Sequence, residues 1–185
     1  MLKTGLIGRS ILSSRSPWLH EQEAAAQGME LTYELFDFSQ RGLPDEALSS
    51  FLSGLAAEGY AGVNITFPFK QQVIGALDAL SEGAQMVGAV NTVSIREGKL
   101  TGYNTDMEGF RDSQRAGLPD ARLSHVLQLG TGGAGAAVAS ALLALGVQRL
   151  SVFDIDPARS AALAERLSRT SPGRDIQAVQ QSALQ

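Results

Sequence analysis

The sequence predicts an α/β protein of two consecutive domains, the first of which contains a mainly parallel sheet. Apolar runs of strand length alternate with helix-length stretches throughout the 185 residues, a pattern that favours parallel strands covered by helices. Residues 117–120, Gly-Leu-Pro-Asp, have the composition of a linker. We therefore predict one domain at residues 1–117 and a second at residues 118–185.

Clusters of glycine, proline and serine divide the chain into predicted strands and helices. The strands are predicted at residues 2–7, 32–38, 60–65, 89–95, 99–103, 125–129, 149–153 and 176–179. The helices are predicted at residues 17–27, 44–57, 107–116, 136–145 and 157–169, with a further helical pattern after Pro68. The connection Arg96-Glu97-Gly98 predicts a hairpin, because glycine is favoured in such short turns.

The composition excludes several classes of function. The net charge is −4 and no run of basic residues marks a nucleic-acid face. The absence of cysteine excludes disulfides and thiolate-bound metal, and two histidines are too few for a typical histidine metal site. No apolar run has membrane-spanning length. We therefore predict a soluble, cytoplasmic protein that binds a small molecule without metal, membrane or nucleic acid; its oligomeric state is left open, with a homodimer as one alternative.

Residues 62–70, G-V-N-I-T-F-P-F-K, are predicted to run from a buried strand into a helix. Ligands of open α/β sheets bind outside the carboxyl ends of the strands, where Asn64, Thr66 and Lys70 are expected. A helix N-terminus and partial burial both disfavour a charged ammonium, so Lys70 is a candidate base. The alternative is a surface lysine at the start of a helix.

The glycine-rich turn at residues 130–135, G-T-G-G-A-G, follows a predicted strand and opens a predicted helix. This context indicates the first half of a Rossmann dinucleotide-binding domain, which would be incomplete because only one half is present. Gly130 would allow a tight turn, Gly132 a close approach of the pyrophosphate, and Gly135 close packing of helix on strand; Gly133 is predicted to contact the cofactor as well. The alternative is a turn that serves packing alone.

Acidic residues follow the second strand of this half. Asp154 could accept hydrogen bonds from the ribose hydroxyls of NAD and would repel the additional phosphate of NADP. We therefore predict NAD as the cofactor, with NADP less favoured. Asp156 precedes Pro157 and is predicted to be the N-cap of the next helix.

Five motifs together resemble the shikimate dehydrogenase family. They are S-R-S-P at residues 14–17, N-I-T-F-P-F-K at 64–70, G-A-V-N-T at 88–92, G-Y-N-T-D at 102–106 and the glycine-rich turn. The resemblance implies hydride transfer between a ring hydroxyl of shikimate or quinate and a nicotinamide cofactor, in aromatic amino acid biosynthesis or quinate catabolism. It also implies these roles: Lys70 and Asp106 as the catalytic pair, Ser14 and Ser16 on the substrate carboxylate, and Asn64, Thr66, Asn91 and Asp106 on the ring hydroxyls.

Two departures from the family pattern and several alternatives remain. Residues 154–156, Asp-Ile-Asp, lack the arginine that meets the NADP phosphate in many members, so the chain resembles the NAD-using quinate/shikimate branch. The family also continues beyond the length seen here, so we expect a fragment or truncated product. Ser16, taken alone, is predicted to be a helix N-cap, and Arg15 is predicted to face solvent. The alternatives are the NADP-dependent biosynthetic enzyme and a non-catalytic ligand-binding relative.

Overall fold

The computed structural model describes residues 1–184, which form strands, six α-helices and three short 3₁₀ helices. The strands are β1 (Leu2–Gly8), β2 (Leu31–Asp37), β3 (Gly62–Ile65), β4 (Ala79–Leu80), β5 (Thr92–Arg96), β6 (Lys99–Tyr103), β7 (His125–Leu129), β8 (Arg149–Phe153) and β9 (Asp175–Ala178). The α-helices are α1 (Ser16–Ala26), α2 (Leu48–Ala57), α3 (Glu82–Val87), α4 (Asp106–Gly117), α5 (Gly133–Ala144) and α6 (Pro157–Thr170). The 3₁₀ helices are Asp45–Ala47, Gln72–Ala76 and Gln181–Leu184.

The chain forms two compact units whose limits differ from the predicted domains. The first unit consists of residues 1–84 and 90–103, and the second contains residues 85–89 and the chain from residue 104 onward. Helix α4, which the sequence assigns to the first domain, packs against α5 and so lies in the second unit. The functional division at residue 117 stays a prediction.

The first unit confirms the predicted α/β fold with its mainly parallel sheet. Its six strands are ordered β2-β1-β3-β5-β6-β4, and β1 pairs in parallel with β2 on one side and β3 on the other. The predicted hairpin joins β5 to β6 through Glu97 and Gly98, both of which have positive φ angles. Strand β5 also pairs antiparallel with β3. This topology places the carboxyl ends of β1 and β3 next to each other.

The larger core cluster of the first unit lies on one face of this sheet. Leu48, Leu52 and Leu55 of α2 are buried, and their spacing of three and four residues places them on a single helical face. They pack in one cluster with buried side chains of the strands, among them Ile7 and Ile65. The burial of these apolar groups stabilises the sheet that carries the polar residues described below.

Two local predictions in the first unit are wrong. The segment after Pro68 forms a turn and then the 3₁₀ helix Gln72–Ala76, so Lys70 does not lie at the N-terminus of an α-helix. No α-helix macrodipole therefore acts on the Lys70 ammonium, because a dipole of that size requires several aligned turns. Ser16 is the first residue of α1, with Arg15 at the cap position and no side-chain capping bond.

The second unit contains a parallel sheet in the order β7-β8-β9, with α5 and α6 as its crossover helices. Small residues of α5 are buried against Leu150 and Val152 of β8. Asp156 caps α6, because its side chain accepts a hydrogen bond from the Ala158 N–H at 3.0 Å. The N-cap prediction for this residue is confirmed. No helix within residues 1–184 has both the length and the apolar character needed to cross a membrane.

Candidate functional site

A polar cavity of about 460 Å³ opens in the first unit where β1 and β3 end. It is lined by all six residues of this unit that the sequence analysis selects, namely Ser14, Ser16, Asn64, Thr66, Lys70 and Asn91. No acidic side chain is among the lining residues, which include the basic side chains of Lys70 and His20. The volume falls within the roughly 300–1,000 Å³ of typical small-molecule sites. The cavity therefore suits a small, polar, anionic ligand.

Asp37 holds the loop that leads to Ser14. No sequence motif described above includes this residue. The carboxylate lies at the end of β2, is 1% exposed, and accepts hydrogen bonds from the Ser10 N–H at 3.0 Å and the Ile11 N–H at 2.7 Å. Although burial acts to raise it, the pKa of Asp37 is held below its ordinary value by these bonds and by those from Gln40 and Ser39. Asp37 thus stays charged and fixes the start of the serine loop.

The two serines of the cavity are hydrogen-bonded to each other. The Ser14 hydroxyl donates to Ser16 Oγ at 3.0 Å, and the Ser16 N–H donates to Ser14 Oγ at 3.2 Å. Both hydroxyls line the cavity, and because a hydroxyl rotates freely, each can turn from this bond to donate to a ligand carboxylate. Arg15 between them is exposed, with its guanidinium over the Trp18 ring at 5.5 Å from the centroid. The prediction that Arg15 faces solvent is confirmed.

The two asparagines of the cavity are linked through Thr92. Asn64 Nδ2 donates to Thr92 Oγ1 at 3.1 Å, and the Thr92 hydroxyl donates to Asn91 Oδ1 at 3.0 Å. The backbone of Asn91 is fixed by hydrogen bonds with Ile65 and Tyr103 at 2.8 and 3.0 Å. The side-chain amides therefore have set orientations. The sequence does not predict that Thr92 bridges the two asparagines.

Lys70 and Asp106, the predicted catalytic pair, lie in different units. The Lys70 carbonyl accepts a hydrogen bond from the Val90 N–H at 2.7 Å, which anchors the backbone, and the side chain lines the cavity. Asp106 begins α4, where its N–H donates to Asn104 Oδ1 at 3.0 Å. The pairing of the two side chains stays a prediction.

The glycine-rich turn of the second unit has a conformation suited to a pyrophosphate. Gly130 has a φ of +95°, which favours glycine, and no heavy atom lies within 4 Å of a Cβ placed on Gly132. A Cβ on Gly135 would lie 2.3 Å from the Gly130 carbonyl oxygen, so close packing requires glycine there. Gln128 Nε2 donates to the carbonyls of Gly130 and Gly135 at 2.8 and 2.9 Å. Because α5 begins at Gly133, these residues fit a dinucleotide.

Asp154 lies just after β8 and is bonded to the same turn. Its Oδ2 accepts hydrogen bonds from the Thr131 N–H and hydroxyl at 2.8 and 2.7 Å, and its Oδ1 accepts from the Asp156 N–H at 3.1 Å. The bonds from Asp156 and Thr131 lower the pKa of Asp154. A negative charge is therefore maintained beside the turn. Thr131, which holds this carboxylate, is not selected by the sequence analysis.

The fold and these two sites define an α/β protein that contains a Rossmann-type unit and a unit that carries a polar ligand cavity. Residues 6–93 match the family model described as the shikimate dehydrogenase substrate binding domain. A shikimate dehydrogenase (NADP(+)) of Streptomyces avermitilis is 50% identical over 165 residues, 89% of this chain and 57% of that protein. A quinate/shikimate dehydrogenase (NAD(+)) of Corynebacterium efficiens is 45% identical over 165 residues, 89% of this chain and 58% of that protein.

Solved structures agree with the sequence matches. The quinate dehydrogenase from Corynebacterium glutamicum in complex with NAD has a TM-score of 0.86 and 42% identity, covering 96% of this chain and 64% of that one. Residues 6–93 therefore belong to the family of shikimate dehydrogenase substrate binding domains, and most of the chain is similar to shikimate and quinate/shikimate dehydrogenases. It spans a little over half the length of the curated relatives named above. Relatives that use NADP and relatives that use NAD are both similar to it, so the comparisons leave the cofactor preference open.

Proposed function

We propose that this chain contributes the substrate site and part of the cofactor site of an oxidoreductase acting on a ring hydroxyl of shikimate or quinate. The observation that carries the proposal is the cavity of about 460 Å³, lined by six side chains of the matched motifs. Both candidate substrates are small carboxylates with several hydroxyl groups. A polar cavity with one lysine and no acidic lining residue complements that chemistry.

In the proposed mode of recognition, one end of the cavity binds the substrate carboxylate and the other binds the ring hydroxyls. On binding, the hydroxyls of Ser14 and Ser16 turn from their mutual hydrogen bond and donate to the substrate carboxylate, and the Asp37-anchored loop keeps the two residues in place. Asn64, Thr66 and Asn91 bond the ring hydroxyls. Because a hydroxyl of the wrong stereochemistry would be mispaired with these partly buried groups, the second end selects the substrate.

The proposed acid–base step uses Lys70. Removal of hydride from a secondary alcohol requires a base for the hydroxyl proton and a fixed ring position. The Lys70 amine takes that proton in oxidation and returns it in reduction, with Asp106 as its partner in proton transfer. The hydrogen bond from Val90 fixes the Lys70 backbone, which limits the positions open to the amine.

The proposed cofactor is a nicotinamide dinucleotide, with NAD preferred. Gly130, Gly132, Gly133 and Gly135 hold its pyrophosphate at the start of α5, and Asp154 accepts from the ribose hydroxyls. The bound nicotinamide supplies the hydride acceptor or donor. The position of Asp154, hydrogen-bonded to Thr131 of the glycine-rich turn, supports the preference for NAD, because a carboxylate there repels a 2′-phosphate. The Streptomyces relative, which is named for NADP, supports the alternative preference.

The test is a turnover assay on a chain extended to the length of the relatives. Shikimate and quinate are each assayed with NAD and with NADP. We expect turnover of at least one acid, with a higher kcat/KM for NAD. Binding of an acid without turnover would instead identify a non-catalytic relative, and binding of neither acid would refute the proposed substrate site.

A further inference from the structure

A series of hydrogen bonds runs from Tyr33 to the two asparagines of the cavity. The Tyr33 hydroxyl donates to Asn64 Oδ1 at 2.7 Å. The series then continues through Thr92 to Asn91, as described above. Tyr33 is therefore the first member of the series that fixes both asparagines.

The sheet order explains why a tyrosine is needed at this position. Tyr33 is on β2 and Asn64 is on β3, and β1 lies between these two strands. Two strand spacings amount to roughly 9–10 Å. Of the neutral side chains, a phenol is long and rigid enough to cross β1 and still carry a hydroxyl at its tip.

The ring of Tyr33 is held firmly. It is 7% exposed and stacks on the His20 ring, with centroids 4.6 Å apart and planes within 13°. The Tyr33 N–H donates to Glu21 Oε1 at 3.3 Å. Burial raises the pKa of Tyr33 to about 12, against an opposing contribution from the Ser16 hydroxyl. The hydroxyl is therefore protonated across the physiological range and remains a donor.

The Tyr33 hydroxyl and the Asn91 carbonyl together determine which way the Asn64 amide faces. Oδ1 accepts from Tyr33, and Nδ2 is directed to Thr92 and to the Asn91 carbonyl at 3.4 Å. Rotation of the amide by 180° would set Asn64 Oδ1 against the Asn91 carbonyl oxygen, which cannot donate. A hydroxyl of the ligand would then meet the wrong partner.

We propose that Tyr33 is a positioning residue that orients Asn64, and through Thr92 also Asn91, for recognition of ligand hydroxyls. This inference rests on the proposed function, in which the two asparagines bind the hydroxyls of shikimate or quinate. Tyr33 acts through Asn64 and not by contact with the reacting atoms. The competing role is packing alone, since Tyr33 also belongs to a small cluster with Leu6 and Ile11.

The Tyr33→Phe variant separates the two roles, because it keeps the ring and its stacking on His20 and removes only the hydroxyl. The affinity for shikimate and for quinate is measured by calorimetry on the 185-residue chain, in the wild type, Tyr33→Phe, Asn64→Ala and the double variant. Tyr60→Phe is the matched control, because the Tyr60 hydroxyl donates to Glu34 and does not line the cavity. The melting temperature of each variant is measured alongside.

We expect Tyr33→Phe to weaken binding about tenfold, as for one lost hydrogen bond that leaves an acceptor unpaired. In the Asn64→Ala background the same change should have little further effect, because the two residues act as a unit. Tyr60→Phe should leave affinity unchanged. Equal losses from Tyr33→Phe in both backgrounds, or wild-type affinity in that variant, would overturn the proposal.

A second measurement needs no ligand and therefore separates this inference from the proposed function. In ¹⁵N-labelled protein, Tyr33→Phe should shift the side-chain amide resonances of Asn64 and Asn91 and increase their exchange with water. A packing role predicts no change at Asn91, which Tyr33 reaches only through Asn64 and Thr92. If the wild type binds neither acid, the proposed function fails, and the amide spectra alone decide: unchanged resonances would overturn the positioning role.

Discussion

Two glycines of the same turn have such different surroundings that alanine substitution separates cofactor binding from packing. A Cβ on Gly135 would lie 2.3 Å from the Gly130 carbonyl oxygen and 3.2 Å from Gln128 Nε2. A Cβ on Gly132 would have no heavy atom within 4 Å, and its φ of −66° and ψ of −171° are accessible to alanine. Gly135→Ala therefore tests packing, and Gly132→Ala tests the approach of a ligand.

The expected effects on stability have opposite signs. At Gly135 the added carbon is more than about 1 Å inside the roughly 3.5 Å at which nonbonded atoms attract, and the neighbour is backbone. Overpacking of this kind costs about 1–3 kcal/mol. At about 2–4 °C per kcal/mol, Gly135→Ala should lower the Tm by roughly 2–12 °C. Gly132→Ala should leave the Tm unchanged or raise it slightly. Alanine lowers the conformational entropy of the unfolded chain, which raises the free energy of unfolding by about 0.4–1 kcal/mol.

The expected effects of the two substitutions on NAD affinity differ from their effects on stability. A methyl group at residue 132 occupies the space through which a pyrophosphate would approach the backbone N–H groups, so the affinity for NAD should fall at least about tenfold. Calorimetric titration of NAD into the wild type and both variants measures this, and thermal denaturation measures the Tm. A Gly132→Ala protein with wild-type affinity would show that the turn serves packing alone.

Three further predictions concern carboxylates and the lysine. In a chain of the relatives' full length, Lys70→Ala should lower kcat about 10²–10⁴-fold and leave KM within a few-fold, because only proton transfer is lost; more than a tenth of wild-type kcat would exclude Lys70 as the base. Asp154→Ala should narrow the ratio of kcat/KM between NAD and NADP by relieving phosphate repulsion, and a wild-type preference for NADP would contradict that reasoning. The pKa of Asp37 is lowered on folding, so its stabilisation is present above the unfolded value of about 3.9 and is lost as the pH falls below it. Asp37→Asn should lower the urea midpoint at pH 7 more than at pH 3, and an equal decrease at both would refute this.

Local signals explain the parts of the fold that the sequence predicts well. The predicted limits of β6, β7 and β8 agree with the structure, because each is a short alternating or apolar run between polar turns. Strand β5 begins at Thr92, three residues later than predicted. The preceding Ala89 and Val90 are buried in different units, so their apolar character reflects tertiary packing and carries no information about a strand.

The cavity shows where prediction from sequence stops. Asn64, Thr66 and Lys70 follow a buried strand, so the general position of ligands in α/β sheets is enough to select them. Tyr33 is 31 residues from Asn64 and bonds it across β1. That contact depends on strand order and register, and neither is encoded in the spacing of the two residues. Residues that orient a site through neighbouring strands therefore become visible only in the folded chain.

Both units nevertheless contain the same contact between a carboxylate and a loop, and this contact can be predicted from a sequence. In each, a carboxylate at the end of the second parallel strand accepts hydrogen bonds from the loop that follows the first: Asp37 from Ser10 and Ile11, and Asp154 from Thr131. Parallel pairing brings these two strand ends side by side, so the contact is a consequence of β-α-β topology. Asp154 is recognisable because its loop contains the glycine fingerprint. Asp37 is harder to recognise because its loop is rich in serine, although the same topology predicts an anionic anchor there. In the first unit that charge holds the loop that leads to Ser14 and Ser16, the proposed partners of the substrate carboxylate.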